Sequence, residues 1–240
     1  MNRSHPILSL CFVALLAGCS KEKPEEKPLN PWQPSTVQTT PRAVSSPAAP
    51  PVNTNQQSIV AKADEESDLR LAAIDGEIGT IQRLLYKGVY IDAKDERGWT
   101  ALRCAVFQEN IKVVKFLLKQ GANPNTVESE QGSTPLHWAA QVGNREMAKV
   151  LLEAGAEPNV RDTFSGSTPL YFAATSGYPE TVEVLLAKGA DPNMPDKYGE
   201  PLLPQVNEAY ESALRRGKPD QASPLLKVMR LLRAAEANNF

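Results

Sequence analysis

Ser133-Thr134-Pro135-Leu136-His137-Trp138-Ala139-Ala140 is followed 34 residues later by Ser167-Thr168-Pro169-Leu170-Tyr171-Phe172-Ala173-Ala174. A threonine side chain caps a helix start and proline fits the first helical turn, so each octet reads as the opening of a helix. The leucine then enters a core and the alanines let a neighbouring element approach closely. A looser copy, Trp99-Thr100-Ala101-Leu102-Arg103-Cys104-Ala105, stands one period upstream. The leucine pairs Leu84-Leu85, Leu117-Leu118, Leu151-Leu152 and Leu185-Leu186 recur at 33, 34 and 34 residues, and Gly88, Gly121, Gly155 and Gly189 follow them in step. Self-similarity at this period is the mark of a tandem-repeat architecture.

Each period reads as two short helices and a loop. Ile111, Val114, Leu117 and Leu118 have the i, i+3, i+4 spacing of one buried helical face. The glycine after each leucine pair stops the second helix. Ala122-Asn123-Pro124-Asn125, Ala156-Glu157-Pro158-Asn159 and Ala190-Asp191-Pro192-Asn193 then carry the chain into an extended finger, because proline cannot continue a helix and asparagine tolerates tight turns.

These openings resemble the Thr-Pro-Leu-His-x-Ala-Ala motif of ankyrin repeats, over about Asp64 to Gly199. The resemblance implies an all-α ankyrin solenoid spanning residues 64–238, with repeats at about 66–98, 99–132, 133–166 and 167–199 and a C-terminal cap over 200–238. The first repeat lacks Thr-Pro and reads as an N-terminal cap, as terminal repeats do. In the C-terminal cap, Val206, Ala209, Tyr210, Ala213 and Leu214 form one helical stripe, and a second helix is expected to start at Ser223-Pro224 after a loop at Arg216–Pro219. Glu109 replaces the glycine found as Gly76, Gly143 and Gly177 between the helices of the other repeats. A non-glycine residue in a left-handed conformation costs about 1 kcal/mol, so repeat two is expected to turn differently there or to bear the strain.

Upstream of the repeats, Ile7 to Ala17 is an almost purely apolar run after a mildly basic start. It is about half the ~20 residues that a helix needs to cross a bilayer, and reads as a signal peptide over residues 1–18. Leu16-Ala17-Gly18-Cys19 resembles the lipobox of bacterial lipoproteins, which implies lipidation of Cys19. Ser20 at the next position implies the outer membrane, facing the periplasm. The competing reading is an ordinary secretory signal with an incidental cysteine. Residues 19–63, with eight prolines from Pro24 to Pro51, read as a disordered tether.

A net charge of -2 with both signs dispersed offers no basic stripe for phosphates, which argues against nucleic-acid partners. With Cys11 removed and Cys19 lipidated, Cys104 is the remaining thiol, and it reads as a small buried hydrophobe rather than a reactive group. His137 is the one histidine after the signal, too few for a zinc cluster. It is a candidate general base, but the repeat register assigns it to the helix opening, where the family uses the ring to hydrogen-bond a neighbouring turn. No nucleophile elbow, phosphate loop or calcium loop is present, and Glu128-Ser129-Glu130 reads as a solvated turn. The expectation is a monomeric, non-catalytic binding protein with no cofactor and no small-molecule substrate.

By resemblance, partners dock on the concave face that the finger tips and first helices create. Arg97, Trp99, Phe107, Trp138, Gln141, Phe164, Phe172 and Tyr198 fall there in register. Aromatic residues and arginine are the types that anchor interface centres. The competing reading is that Trp138 and Phe172 pack between repeats. Bacterial ankyrin lipoproteins include immunity proteins that neutralise toxins such as type VI secretion phospholipases. That is the specific function implied, and a periplasmic scaffold for a resident envelope or stress-defence protein is the alternative.

Overall fold

The computed structural model describes residues 54–238, so the expected signal peptide, Cys19 and most of the expected tether lie outside the described residues. Among the described residues there are ten helices and no strand. They alternate as inner and outer members of stacked pairs: α1 Thr54–Asp75 and α2 Ile78–Tyr86; α3 Ala101–Phe107 and α4 Ile111–Lys119; α5 Pro135–Gln141 and α6 Arg145–Glu153; α7 Pro169–Thr175 and α8 Pro179–Ala187; α9 Leu202–Arg215 and α10 Pro219–Asn238. The inner helices α1, α3, α5, α7 and α9 pack in one row and the outer helices α4, α6, α8 and α10 in another.

Local chemistry explains the register. The Thr100 and Thr168 hydroxyls accept from the Arg103 and Tyr171 amides at 3.2 and 3.3 Å and so cap α3 and α7, while Asn110 and Asn144 cap α4 and α6 in the same way. Leu84, Leu117, Leu151 and Leu185, the first member of each leucine pair, are buried between the rows. Burying each such side chain contributes roughly 1.5–3 kcal/mol.

The loops are tied by a second ladder. The Asn125 carboxamide accepts from the Glu157 amide at 2.8 Å and donates to the Gly155 carbonyl at 3.0 Å, and Asn159 repeats both bonds to Asp191 and Gly189. Asp92 stands at the equivalent place in the first loop and accepts from the Asn123 amide at 3.1 Å. These asparagines therefore do more than tolerate a turn: each clamps its own loop to the next.

Three expectations are refined. Helix α1 starts at Thr54, inside the stretch read as tether to residue 63. No proline follows Pro51 until Pro124, and Gln, Ala and Lys favour helix. Helix α10 starts at Pro219 rather than at Ser223-Pro224, because Pro219 takes the first helical position after Gly217 turns the chain at φ 65°. Pro224 then lies inside α10 but close to its start, where few carbonyls lose a donor. Glu109 adopts φ 53°, the one positive φ among described residues other than glycine, so repeat two keeps the common turn and bears the strain.

Candidate protein-binding face

The third residue of each inner helix differs between repeats: Arg103 in α3, His137 in α5 and Tyr171 in α7. His137 is buried, its Nδ1 accepts from the Thr134 amide at 3.0 Å, and Nε2 lies 3.2 Å from the Ser167 carbonyl. The amide must donate, so Nδ1 is bare and the Nε2 proton goes to Ser167. Burial pushes the ring pKa down to about 4, against smaller raising effects from Ser167 and Asp162. A neutral ring that staples repeat three to the end of the next finger has no lone pair left for proton abstraction. Tyr171 instead turns its hydroxyl outward along the stack and donates to Gln205 of α9 at 2.7 Å.

Arg103 is buried and pairs with Glu128 at 3.6 Å, both side chains being almost fully covered. Its guanidinium lies 4.0 Å from the Trp138 ring centroid and 4.5 Å from that of Trp99, with Phe107 at 5.7 Å. A planar, weakly hydrated cation between two indoles is the setting in which arginine tolerates burial. Glu128 is thus not part of a solvated turn. In the other fingers an aspartate holds this place and caps the tip: Asp95 accepts from the amides of Arg97 and Trp99, Asp162 from those of Ser165 and Gly166, and Asp196 from those of Tyr198 and Glu200. One more methylene lets the glutamate turn inward to Arg103. Burial raises its pKa above the usual carboxylate range, opposed by the Arg103 charge and by the Trp99 and Trp138 side chains. The Trp138 indole N–H stops short of hydrogen-bond geometry.

The eight residues read as a contact strip fall into four groups. Trp99, Phe107 and Trp138 surround Arg103, with ring centroids 5.6 and 5.8 Å apart along that series. Trp99 is only 6% exposed, so it belongs to the core rather than to an open surface, because its indole is one wall of the arginine site. Phe107 and Trp138 are half-buried. Phe172, also half-buried, packs edge-on against His137 at 5.9 Å and Tyr171 at 5.9 Å. Phe164 and Tyr198 are 57% and 75% exposed at neighbouring finger tips, and Lys197 Nζ sits 5.1 Å from each ring while donating to the Phe164 carbonyl. Arg97 and Gln141 are exposed. The surface available to a partner therefore comprises the finger tips and the exposed halves of Phe107, Trp138 and Phe172.

Sequence reading missed the roles of Arg103 and Glu128. The signals were an arginine aligned with histidine and tyrosine, and a glutamate aligned with three aspartates. Among the described residues no cluster of three His, Cys, Asp or Glu side chains could hold a metal, and no helix is long and apolar enough to cross a membrane.

The model of three ankyrin repeats matches residues 69–162 and the single ankyrin-repeat model matches residues 165–197. Among curated proteins, the chain is 41% identical over 61 residues to ankyrin repeat and SAM domain-containing protein 6 of Mus musculus, covering 25% of this chain and 7% of that one. It is 32% identical over 73 residues to ankyrin repeat, SAM and basic leucine zipper domain-containing protein 1 of Notamacropus eugenii, covering 30% and 15%. It is 39% identical over 62 residues to the mitochondrial disaggregase of Homo sapiens, covering 26% and 9%. The matched segments thus span a small part of each relative.

Proposed function

Because this chain belongs to the ankyrin-repeat proteins, a family of protein-interaction modules, we propose that it binds one partner protein through its finger tips and inner helices and does so without catalysis. The observation that carries this reading is the exposed aromatic and cationic set at neighbouring tips, Phe164, Lys197 and Tyr198. It continues onto half-buried Phe172, Trp138 and Phe107. Rigid aromatic rings bury much area for little lost entropy, which suits them to anchor an interface.

The finer proposal joins this face to the Leu16–Cys19 lipobox: a lipoprotein of the bacterial envelope, held on the outer membrane and facing the periplasm, that acts as an immunity protein by covering the active site of a periplasmic toxin. Two acyl chains or more give persistent anchoring where one is marginal. The test is protection of cells expressing the toxin encoded by a neighbouring gene, with wild type, a Phe164→Ala/Tyr198→Ala variant and Cys19→Ser. Wild type is expected to protect, the tip variant to lose at least about tenfold in toxin affinity, as losing two hot-spot anchors would, and Cys19→Ser to leave the membrane fraction. A tip variant that binds and protects like wild type would refute the contact face. Absence of protection by wild type would remove the immunity role.

A further inference from the structure

Successive fingers are joined tip to tip by one backbone hydrogen bond each: the Ser129 amide donates to the Arg97 carbonyl at 2.8 Å, Thr163 to Gln131 at 2.8 Å and Lys197 to Ser165 at 3.1 Å. A glycine follows each acceptor, Gly98, Gly132 and Gly166, all at positive φ. A Cβ on these glycines would lie 2.8, 2.8 and 2.7 Å from the donating nitrogens of Ser129, Thr163 and Lys197, so the next finger approaches through the space that the missing side chain leaves. Finger four repeats the device. Asp196-Lys197-Tyr198-Gly199-Glu200 has the length of Asp95-Glu96-Arg97-Gly98-Trp99 and shares its aspartate and glycine, with the same closing bond from the first amide to the fifth carbonyl and Gly199 at φ 82° against 79° for Gly98. Nothing lies within 4 Å of a Cβ built on Gly199, and no donor reaches the Tyr198 carbonyl among the described residues.

The helical side of the same end is closed. Gly177, between α7 and α8, is covered by Leu225 of α10, as Gly143 is by Tyr178. Helices α9 and α10 fill the place of a fifth helix pair, so a whole repeat of a second copy cannot stack there, and a segment without helices can.

We propose that the outer edge of finger four, Lys197 to Glu200, is a docking edge for an extended segment of the partner protein, which donates a main-chain N–H to the Tyr198 carbonyl, passes over Gly199 and rests an apolar side chain on the Tyr198 ring. The three internal fingers show this occupant chemistry already at work, and adding an extended segment to an open backbone edge is an established recognition mode. The inference rests on the protein-binding reading above and specifies where and how the partner engages.

The test is an NMR titration of the isotopically labelled full chain with a synthetic hairpin peptide copying residues 191–201, which presents the donor that finger four would offer a preceding finger. Amide shifts are expected to centre on Lys197, Tyr198, Gly199 and Glu200. N-methylation of the peptide at its Lys197 should weaken binding about fivefold, as one lost hydrogen bond implies. Gly199→Asn, which keeps the left-handed turn but adds a Cβ, should abolish it. Shifts centred elsewhere, no shifts, or equal binding by the methylated peptide would overturn the proposal. Shifts at these four amides on concentrating the protein alone would assign the edge to a second copy and also overturn it. A toxin bound equally by wild type and Gly199→Asn, yet lost in the tip variant Phe164→Ala/Tyr198→Ala, would refute the edge while leaving the protein-binding reading intact.

Discussion

Repeats two and three place a polar side chain at the same buried position, Arg103 and His137, each 2% exposed, and satisfy it in opposite ways. In repeat three the ring is neutral and its two nitrogens meet main-chain groups of Thr134 and Ser167, so the finger is free to cap itself through Asp162. In repeat two the side chain is a permanent cation, and the finger gives up its carboxylate cap so that Glu128 can neutralise it between Trp99 and Trp138. A neutral hydrogen-bonding group makes a local staple. A buried charge recruits a counter-charge and one indole from its own repeat and a second indole from repeat three, so repeats two and three are joined by a unit that cannot be dismantled piecemeal.

The largest effect follows from that difference. Arg103→Met should destabilise the domain by about 3–5 kcal/mol, because it leaves a buried carboxylate without its partner. The double variant Arg103→Met/Glu128→Leu should recover most of that loss, since an apolar pair of similar volume needs no desolvation of charge. Urea unfolding followed by circular dichroism measures both, and a coupling energy near zero in the double-mutant cycle would break the comparison.

The two sites also respond to pH with opposite signs. The His137 pKa is lowered from 6.5 to about 4 by folding, so the unfolded chain binds a proton between these values that the folded chain refuses. Its stabilising contribution is full above pH 6.5 and declines by up to about 3 kcal/mol as pH falls toward 4. Glu128, whose pKa is raised, contributes in the other sense: folding favours its protonated form, and that contribution is lost as pH rises through the folded value. His137→Gln retains an acceptor for the Thr134 amide but cannot titrate, so its stability should vary less with pH between 6.5 and 4 than that of wild type. Parallel curves for the two proteins would show that the ring does not hold a depressed pKa.

The period, the helix pairs, the fingers and the family were legible because the repeats restate them: a leucine pair and a glycine stop in all four, a Pro-Asn loop after three and a Thr-Pro opening in two carry local physics that needs no knowledge of the rest of the chain. What escaped was long-range. Arg103 and Glu128 lie 25 residues apart, and nothing local tells a glutamate to turn inward rather than face water. Trp99 looked like a finger-tip anchor for the same reason, since its burial depends on Arg103 and Phe107 coming beneath it. The start of α10 was misread because Ser223-Pro224 has the local form of a helix start, while Pro219 had already supplied one.

The smallest effect sharpens the comparison at the turn that joins the two helices of each repeat. Repeat three turns through Gly143 at φ 71°, and repeat two makes the same turn through Glu109 at φ 53°. Glu109 does gain one contact, since its Oε2 accepts from the Asn144 carboxamide at 2.9 Å, but the pair is exposed and water competes for both groups. An exposed hydrogen bond of this kind contributes a few tenths of a kcal/mol, whereas holding a side-chain-bearing residue in the left-handed region costs about 1 kcal/mol. The strain outweighs the bond. Glu109→Gly should therefore stabilise the domain by roughly 0.5 kcal/mol despite the added freedom of glycine in the unfolded chain, and Gly143→Glu should destabilise it by more than 1 kcal/mol, because a Cβ there would lie 2.4 Å from the Tyr178 ring. If Glu109→Gly proves destabilising, the Asn144 bond holds repeats two and three together more strongly than its exposure implies.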